Sequence, residues 1–364
     1  MGQGPRVFIA GAHTYLGARV AAVFQERDYD VVCLAHENQP THGLEAIGVE
    51  IVRGSLLEPE GWKNVLKRCL FAVNLHRRID WGGDPKRQMK GREGEEEEHQ
   101  VRVLRAINVE GAENFLDACI AMDVPKILTL SAALALGDHR GSTVDETADH
   151  MGNFRSHYEE SMYDALFRTK VRIEEGAQVA CMLPGPILGP RAEGPFTQLV
   201  ENYVTGKLLW AIEGHSSMTF TYIDDIVRAI FQLLDRRAPT GLYIIGNDPV
   251  TWQEFFKKLE KVSGISPKQG WRRESAVEAA LRPSRLFGRH KGREPPIPPE
   301  ILPYLVDCHF RFSSARAKRV FGWDDTPMET WLAELVEYIR SSPEGPATQS
   351  AIETFMRPAS AFGR

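Results

Sequence analysis

The chain has 364 residues, 43% of them hydrophobic and 26% charged, with a formal net charge of −5. That composition fits a soluble globular protein with one large core or two packed ones. The acidic balance excludes a global basic field for nucleic acid or anionic membrane, and no apolar run approaches the length of a bilayer span.

The start, Met1–Pro5, carries no apolar leader segment, and Val7–Ala12 is too short for one. In chain order, "RVFIAGA" (6–12) is a short β-rich run ending in glycine. "YLGARVAAVFQER" (15–27) follows with helical period, placing Leu16, Val20, Val23 and Phe24 on one side. Five more apolar strands come next: "YDVVCLAH", "VEIVRG", "LFAVNLH", "KILTLSAA" and "AQVACMLPG". Helices are expected between them at Glu58–Arg68, Val101–Ala121 and Ser156–Glu175. Near-continuous apolar strands alternating with helices imply an α/β fold, a Rossmann-type doubly wound parallel sheet. It would occupy residues 1–190, with a smaller C-terminal substrate-binding lobe over 191–340 interleaved with it.

Two polar stretches interrupt the pattern. "GGDPKRQMKGREGEEEEHQ" (82–100) reads by composition as a mobile charged surface loop. "RRESAVEAALRPSRLFGRHKGREPPIPP" (272–299) reads as a solvated helix and linker, or a cover for a pocket. The tail from Ser341, rich in Pro, Ser and Gly, is expected to fray. Cys33, Cys69, Cys119, Cys181 and Cys308 are scattered and never form CxxC, so buried reduced thiols and a reducing cytoplasm are expected. No metal is expected.

The stretch "GAHTYLG" joins the first strand to the first helix, where a dinucleotide fold places its glycine turn against a pyrophosphate. Gly11 makes the tight turn and Gly17 permits close helix–strand packing. Thr14 stands at the middle position, where its hydroxyl offers a hydrogen bond.

Several further pieces, in order, resemble the extended short-chain dehydrogenase/reductases. The nearest subgroup holds dihydroflavonol reductases, 3β-hydroxysteroid dehydrogenases and nucleotide-sugar epimerases. These pieces are "VRGSLLEPEGW", "NLHRRIDW", "INVEGAENFLDAC", "LTLSAALALG", "YEESM", "LPGPILGP", "FTYIDDIVRAI" and "SSARAKRVFGW". The resemblance spans about residues 6–340. It implies NADPH or NADH as cofactor and a small-molecule substrate. It also implies a homodimer built on the helices at 101–121 and 156–175.

The resemblance makes Tyr158 the catalytic tyrosine of YxxSK, with Ser161 fixing the register. The lysine that would lower the phenol's pKa and hold the nicotinamide ribose is replaced by Met162. Lys170 lies too far along the helix to substitute. It reads as a solvated charge, and Tyr163 as packing or dimer surface. Ser131 is the candidate for the serine that binds the carbonyl, although counting back from Gly137 puts Ala132 at that place.

The implied cofactor-binding set is Gly11, Thr14, Tyr15, Leu16, Gly17, His36, Ser55, Leu56, His76, Arg77, Asn108, Pro184, Gly185 and Ile187. Pro186 completes the turn that meets the nicotinamide amide. Ser55 stands where an aspartate usually meets adenine, and His76 and Arg77 where two alanines usually stand. Arg77 or His76 could supply the charge missing at 162 by gripping the cofactor or polarising Tyr158. Alternatively the pair reflects a rearranged loop or a closed cleft. Asp224 and Asp225 read as helix N-caps, and Arg316 and Trp323 as structural positions.

Three functions stay open. The first is an oxidoreductase acting on a ketone or secondary alcohol of a fairly apolar molecule; Trp210, Met218, Phe220 and Leu286–Phe287 suggest the apolar pocket. The second is a non-redox isomerase or lyase using Tyr158 and His76. The third is a catalytically degenerate cofactor- or partner-binding relative.

Overall fold

A computed structural model describes residues 4–39, 41–78, 92–237, 239–279 and 296–341, leaving aside the side chains of 42 and 92–97. Strands β1 (Arg6–Ala10), β2 (Asp30–Ala35), β3 (Glu50–Arg53), β4 (Cys69–Asn74), β5 (Lys126–Leu130) and β6 (Val179–Pro184) form one parallel sheet with the late strand Gly241–Ile245. Its order is β3-β2-β1-β4-β5-β6 and then Gly241–Ile245. The order reverses between β1 and β4, and such a switch point opens a crevice at the strands' carboxyl ends. The late strand returns from the C-terminal half to this sheet, where Leu183 pairs with Ile244.

Alternation along each strand feeds two cores. Val7 and Ile9 join the core with Val20 and Phe24 of α1 (Tyr15–Glu26). Phe8 and Ala10 join the opposite core with Trp62 and Phe115. The Phe8 and Trp62 rings stack at 5.3 Å. Burial on both faces is why these strands read as continuous apolar runs.

The helices depart from expectation in three places. After the short α2 (His42–Ala46), the segment 58–68 forms 3₁₀ turns, Pro59–Gly61 and Lys63–Arg68, since a proline and a glycine two residues apart disfavour a longer helix. Residues 92–100, expected as loop, lie in α3 (Arg92–Arg105); 82–91 fall outside the described residues. Glutamate is a good helix former, and charge density concealed the periodicity. A π-turn, Ala106–Glu110, separates α3 from α4 (Gly111–Ala121). The helix α5 (His157–Glu174) lies nearly as expected. Of 272–299, residues 280–295 lie outside the described residues, as does the tail beyond 341.

Asp225 has a different role from the expected cap. The helix Ile223–Asp235 makes no side-chain cap bond at its start. The buried Asp225 carboxylate instead accepts from Thr326 N at 2.8 Å, from Thr326 Oγ1 at 2.6 Å and from Arg228. It thereby fastens the segment that follows Trp323. Asp225→Ala strands these donors, and we expect a loss of about 3 kcal/mol in denaturant unfolding. A loss below about 1 kcal/mol would assign the fastening to other contacts.

Candidate active site

The glycine turn is dictated by backbone crowding. Gly11 has φ +89°, and a Cβ there would stand 2.5 Å from the backbone nitrogen of His76. A Cβ on Gly17 would stand 2.1 Å from the Gly11 carbonyl oxygen. Thr14 caps α1: its hydroxyl donates to Gly11 O at 2.9 Å and accepts from Gly17 N at 3.1 Å. The hydroxyl therefore stabilises the turn. A cleft opens here, lined by Thr14, Tyr15, Leu16, Leu75, Arg77, Ile187 and Arg191, with Glu193 as its acidic member. The helix N-terminus and two arginines suit an anionic diphosphate.

The carboxyl ends of β2, β3 and β4 lie along the same edge and bring His36, Ser55 and His76 into a row with Gly11. Two of these groups serve their own loops. The Ser55 hydroxyl accepts from Leu57 N at 3.2 Å, and the exposed His36 gives its carbonyl to Arg53 at 2.9 Å. Leu56 is buried in the Trp62 core. The backbone cradle fits a dinucleotide, which Gly11, Gly17 and the first turn of α1 would hold.

Ser156 caps α5, accepting from Glu159 N at 3.1 Å, and so sets the turn that carries Tyr158. Glu159 is fully buried and accepts from Tyr304 Oη at 2.8 Å and Arg155 N at 3.1 Å, with His150 Nε2 at 2.8 Å. These contacts tie the first turn of α5 to the C-terminal lobe. One turn on from Tyr158, Met162 is 2% exposed and lines a small rear cavity of about 20 Å³ with Asn74, His76, Asn108 and Ser131.

Asn108, in the π-turn, connects the two halves of the site. Its Oδ1 accepts from Arg78 N at 2.7 Å, and its Nδ2 donates to Arg78 O at 3.0 Å and Ser161 Oγ at 3.1 Å. Ser161 Oγ in turn donates to the Tyr158 carbonyl at 2.8 Å. On the loop so held, Arg77 Nη1 stands 3.5 Å from the Tyr158 hydroxyl and 3.4 Å from the Ser131 carbonyl.

Tyr158 lines a front cleft with Arg77, Ala132, Leu134, Pro184, Pro186 and Phe196 among others. Gly185 also lines it, and a Cβ there would stand 2.0 Å from the Thr219 carbonyl oxygen. Ala132, not Ser131, faces this cleft; Ser131 lines the rear cavity, and its buried hydroxyl has no hydrogen-bond partner. The expectation for Ser131 is corrected by strand alternation, which sends neighbours to opposite faces. Trp210, Met218 and Phe220 are core residues and do not line the cleft, while Leu286–Phe287 lies outside the described residues. His76 lines the rear cavity and not the cleft of Tyr158.

Three contributors escaped the sequence reading. Arg191 directly follows "LPGPILGP" and stacks over Tyr15 and Tyr338, at 5.5 and 5.7 Å. Glu193 lines both clefts. His13 sits inside "GAHTYLG" and meets His76 edge to face at 4.9 Å.

Burial depresses the pKa of both imidazoles, that of His76 to about 4, with His13 adding to the effect. An unfolded histidine binds its proton near 6.5. Between about pH 6.5 and 4 the unfolded chain therefore binds more protons, and stability falls as pH falls. For His76 the loss at pH 5 is about 2 kcal/mol. His76→Asn should shrink the drop in melting temperature between pH 7 and pH 5; an unchanged drop would remove His76 as its source.

The NAD dependent epimerase/dehydratase family profile matches residues 7–246. A curated relative, 2-alkyl-3-oxoalkanoate reductase of Shewanella oneidensis, is 23% identical over 87% of this chain and 81% of its own length. The 3beta-hydroxysteroid-dehydrogenase/decarboxylase isoform 1 of Arabidopsis thaliana is 23% identical over 62% of this chain, which spans about half (55%) of that protein. The crystal structure of gox2253 aligns with a TM-score of 0.73 at 21% identity, covering 93% of this chain and 98% of the other. The matched profile covers well over half of the sequence, and the chain belongs to the NAD dependent epimerase/dehydratase family.

Proposed function

We propose that the protein is an oxidoreductase that interconverts a ketone and a secondary alcohol on a largely apolar small molecule. Its cofactor would be NADPH or NADH. The observation that carries this reading is the Tyr158 side chain in a cleft walled by Ala132, Leu134, Pro184, Pro186 and Phe196. Such walls bury alkyl surface and leave a few polar groups to orient the reacting carbonyl. The relative named as a 2-alkyl-3-oxoalkanoate reductase supports the substrate class.

When bound, the dinucleotide supplies or accepts the hydride. The Gly11–Gly17 turn and the start of α1 would hold its diphosphate. The Pro184–Gly185–Pro186 turn lines the cleft of Tyr158, and Ile187 lines both clefts. Tyr158 holds the proton that goes to the carbonyl oxygen in reduction and takes it back in oxidation. The non-redox alternative loses its second acid–base group, because His76 lines the rear cavity.

Assembly as a homodimer through α4 and α5 belongs to this reading, supported by the exposed Phe167 and Ile120 on those helices. A light-scattering mass of one chain would remove it. A cytoplasmic location is supported by five buried free thiols. Oxidation of those thiols to disulfides in cells would count against it.

Saturating NADPH or NADH should raise the melting temperature, since a ligand at 100 times its Kd adds about 2.7 kcal/mol. Tyr158→Phe should keep that shift and lower turnover at least about 10²-fold. No shift with either dinucleotide at millimolar concentration refutes the oxidoreductase reading.

A further inference from the structure

We propose that Arg77, on the loop after β4, supplies at the Tyr158 hydroxyl the positive charge and hydrogen-bond donor that no residue of α5 provides. This rests on the reading of Tyr158 as the acid–base group. Three observations lead to it. The position one turn after Tyr158 holds Met162, a buried thioether with neither charge nor donor. The front cleft has no serine or threonine in its lining and only one cation, Arg77, among the described residues. The Arg77 guanidinium stands 3.5 Å from the phenol oxygen, far closer than Lys170, whose Nζ pairs with Asp149 at 2.9 Å.

The position is prepared by the backbone. His76 N donates to Asn74 Oδ1 at 3.0 Å on one side of Arg77, and the Asn108 amide grips both backbone polar groups of Arg78 on the other. The Ser131 carbonyl accepts from the guanidinium at 3.4 Å, which sets its distance from the cleft floor. A 3.5 Å approach is long for a hydrogen bond, and contacts of this kind tighten when ligand closes the site. Arginine also stays charged under all working conditions, so the donor cannot be lost by deprotonation. Arg77 thus acts through Tyr158 and is a positioning residue. Its guanidinium holds the phenol oxygen in place for proton delivery in reduction and for proton acceptance in oxidation.

The test separates the contact from the activity. Full-length protein is labelled with ¹³Cζ-tyrosine, and the Tyr158 resonance is identified by its absence in Tyr158→Phe. In cofactor-free protein at neutral pH, Arg77→Met should move this resonance, Arg77→Lys should move it less, and guanidinium ion added to Arg77→Ala should return it toward its native position. In turnover at saturating dinucleotide, Arg77→Ala should lower kcat by about 10²-fold, and guanidinium ion or a second change, Met162→Lys, should recover at least tenfold. Met162→Lys alone should give no comparable gain, since two groups serving one function are not additive.

A Tyr158 resonance indifferent to Arg77→Met and Arg77→Lys overturns the proposal whatever the enzyme does. So does an Arg77→Ala variant that keeps native kcat. A resonance that answers to Arg77, in a protein that binds neither dinucleotide, upholds the contact and defeats the oxidoreductase reading.

Discussion

The buried carboxamide of Asn108 is the constraint on which the site depends. It satisfies the backbone N–H and C=O of Arg78 and the hydroxyl of Ser161, and Ser161 reaches the Tyr158 carbonyl. One side chain thus sets the distance between the loop after β4 and α5. A buried amide with unmade bonds is costly, so the arrangement is close to all-or-none. The π-turn at Ala106–Glu110 contains Asn108 and interrupts an otherwise continuous helical run, as such turns often do at functional positions. Glu159 performs a comparable service on the other side, joining the first turn of α5 to Tyr304 in the C-terminal lobe.

Much of the sheet was legible because burial on both faces makes each strand a plain apolar run. The late strand "GLYII" has the same character but sits in the C-terminal half, where chain order gives no hint that it returns to the first sheet. The helix at 92–105 was concealed by its own charge, which mimics the composition of a loop. In the site, Gly11 and Gly17 were readable because their crowding is a property of the motif. The choice between Ser131 and Ala132 was harder, since a one-residue difference in register turns a side chain to the opposite face. Arg77 was readable as a departure from pattern, but its neighbour Tyr158 lies 81 residues away and only the fold brings them together.

Electrostatics divide the site into two zones. His13 and His76, both with depressed pKa values, form a neutral pair beside the glycine turn. Neutral imidazoles there leave the positive character of the cleft to Arg77, Arg191 and the helix terminus. Protonating either histidine would place a desolvated charge where no carboxylate is paired with it among the hydrogen bonds described. The expected loss of stability at low pH and the neutral imidazoles beside the cleft therefore have the same origin in burial.

These contacts also change how the departures from the short-chain dehydrogenase/reductase pattern are weighed. Thr14 and Ser55 differ from that pattern, yet each hydroxyl closes its own turn and leaves the backbone path intact. Ala132 removes a hydroxyl from the front cleft, and Met162 removes a cation from α5. His76 and Arg77 arrive together at the end of β4, one turned to the rear cavity and the other reaching the phenol. On this reading the last four changes are linked: a charge lost from the helix reappears on the facing loop. Decay would scatter substitutions without regard to geometry. Here the arriving guanidinium stands 3.5 Å from the Tyr158 hydroxyl, and the loop that carries it is held by a fully engaged side chain, Asn108.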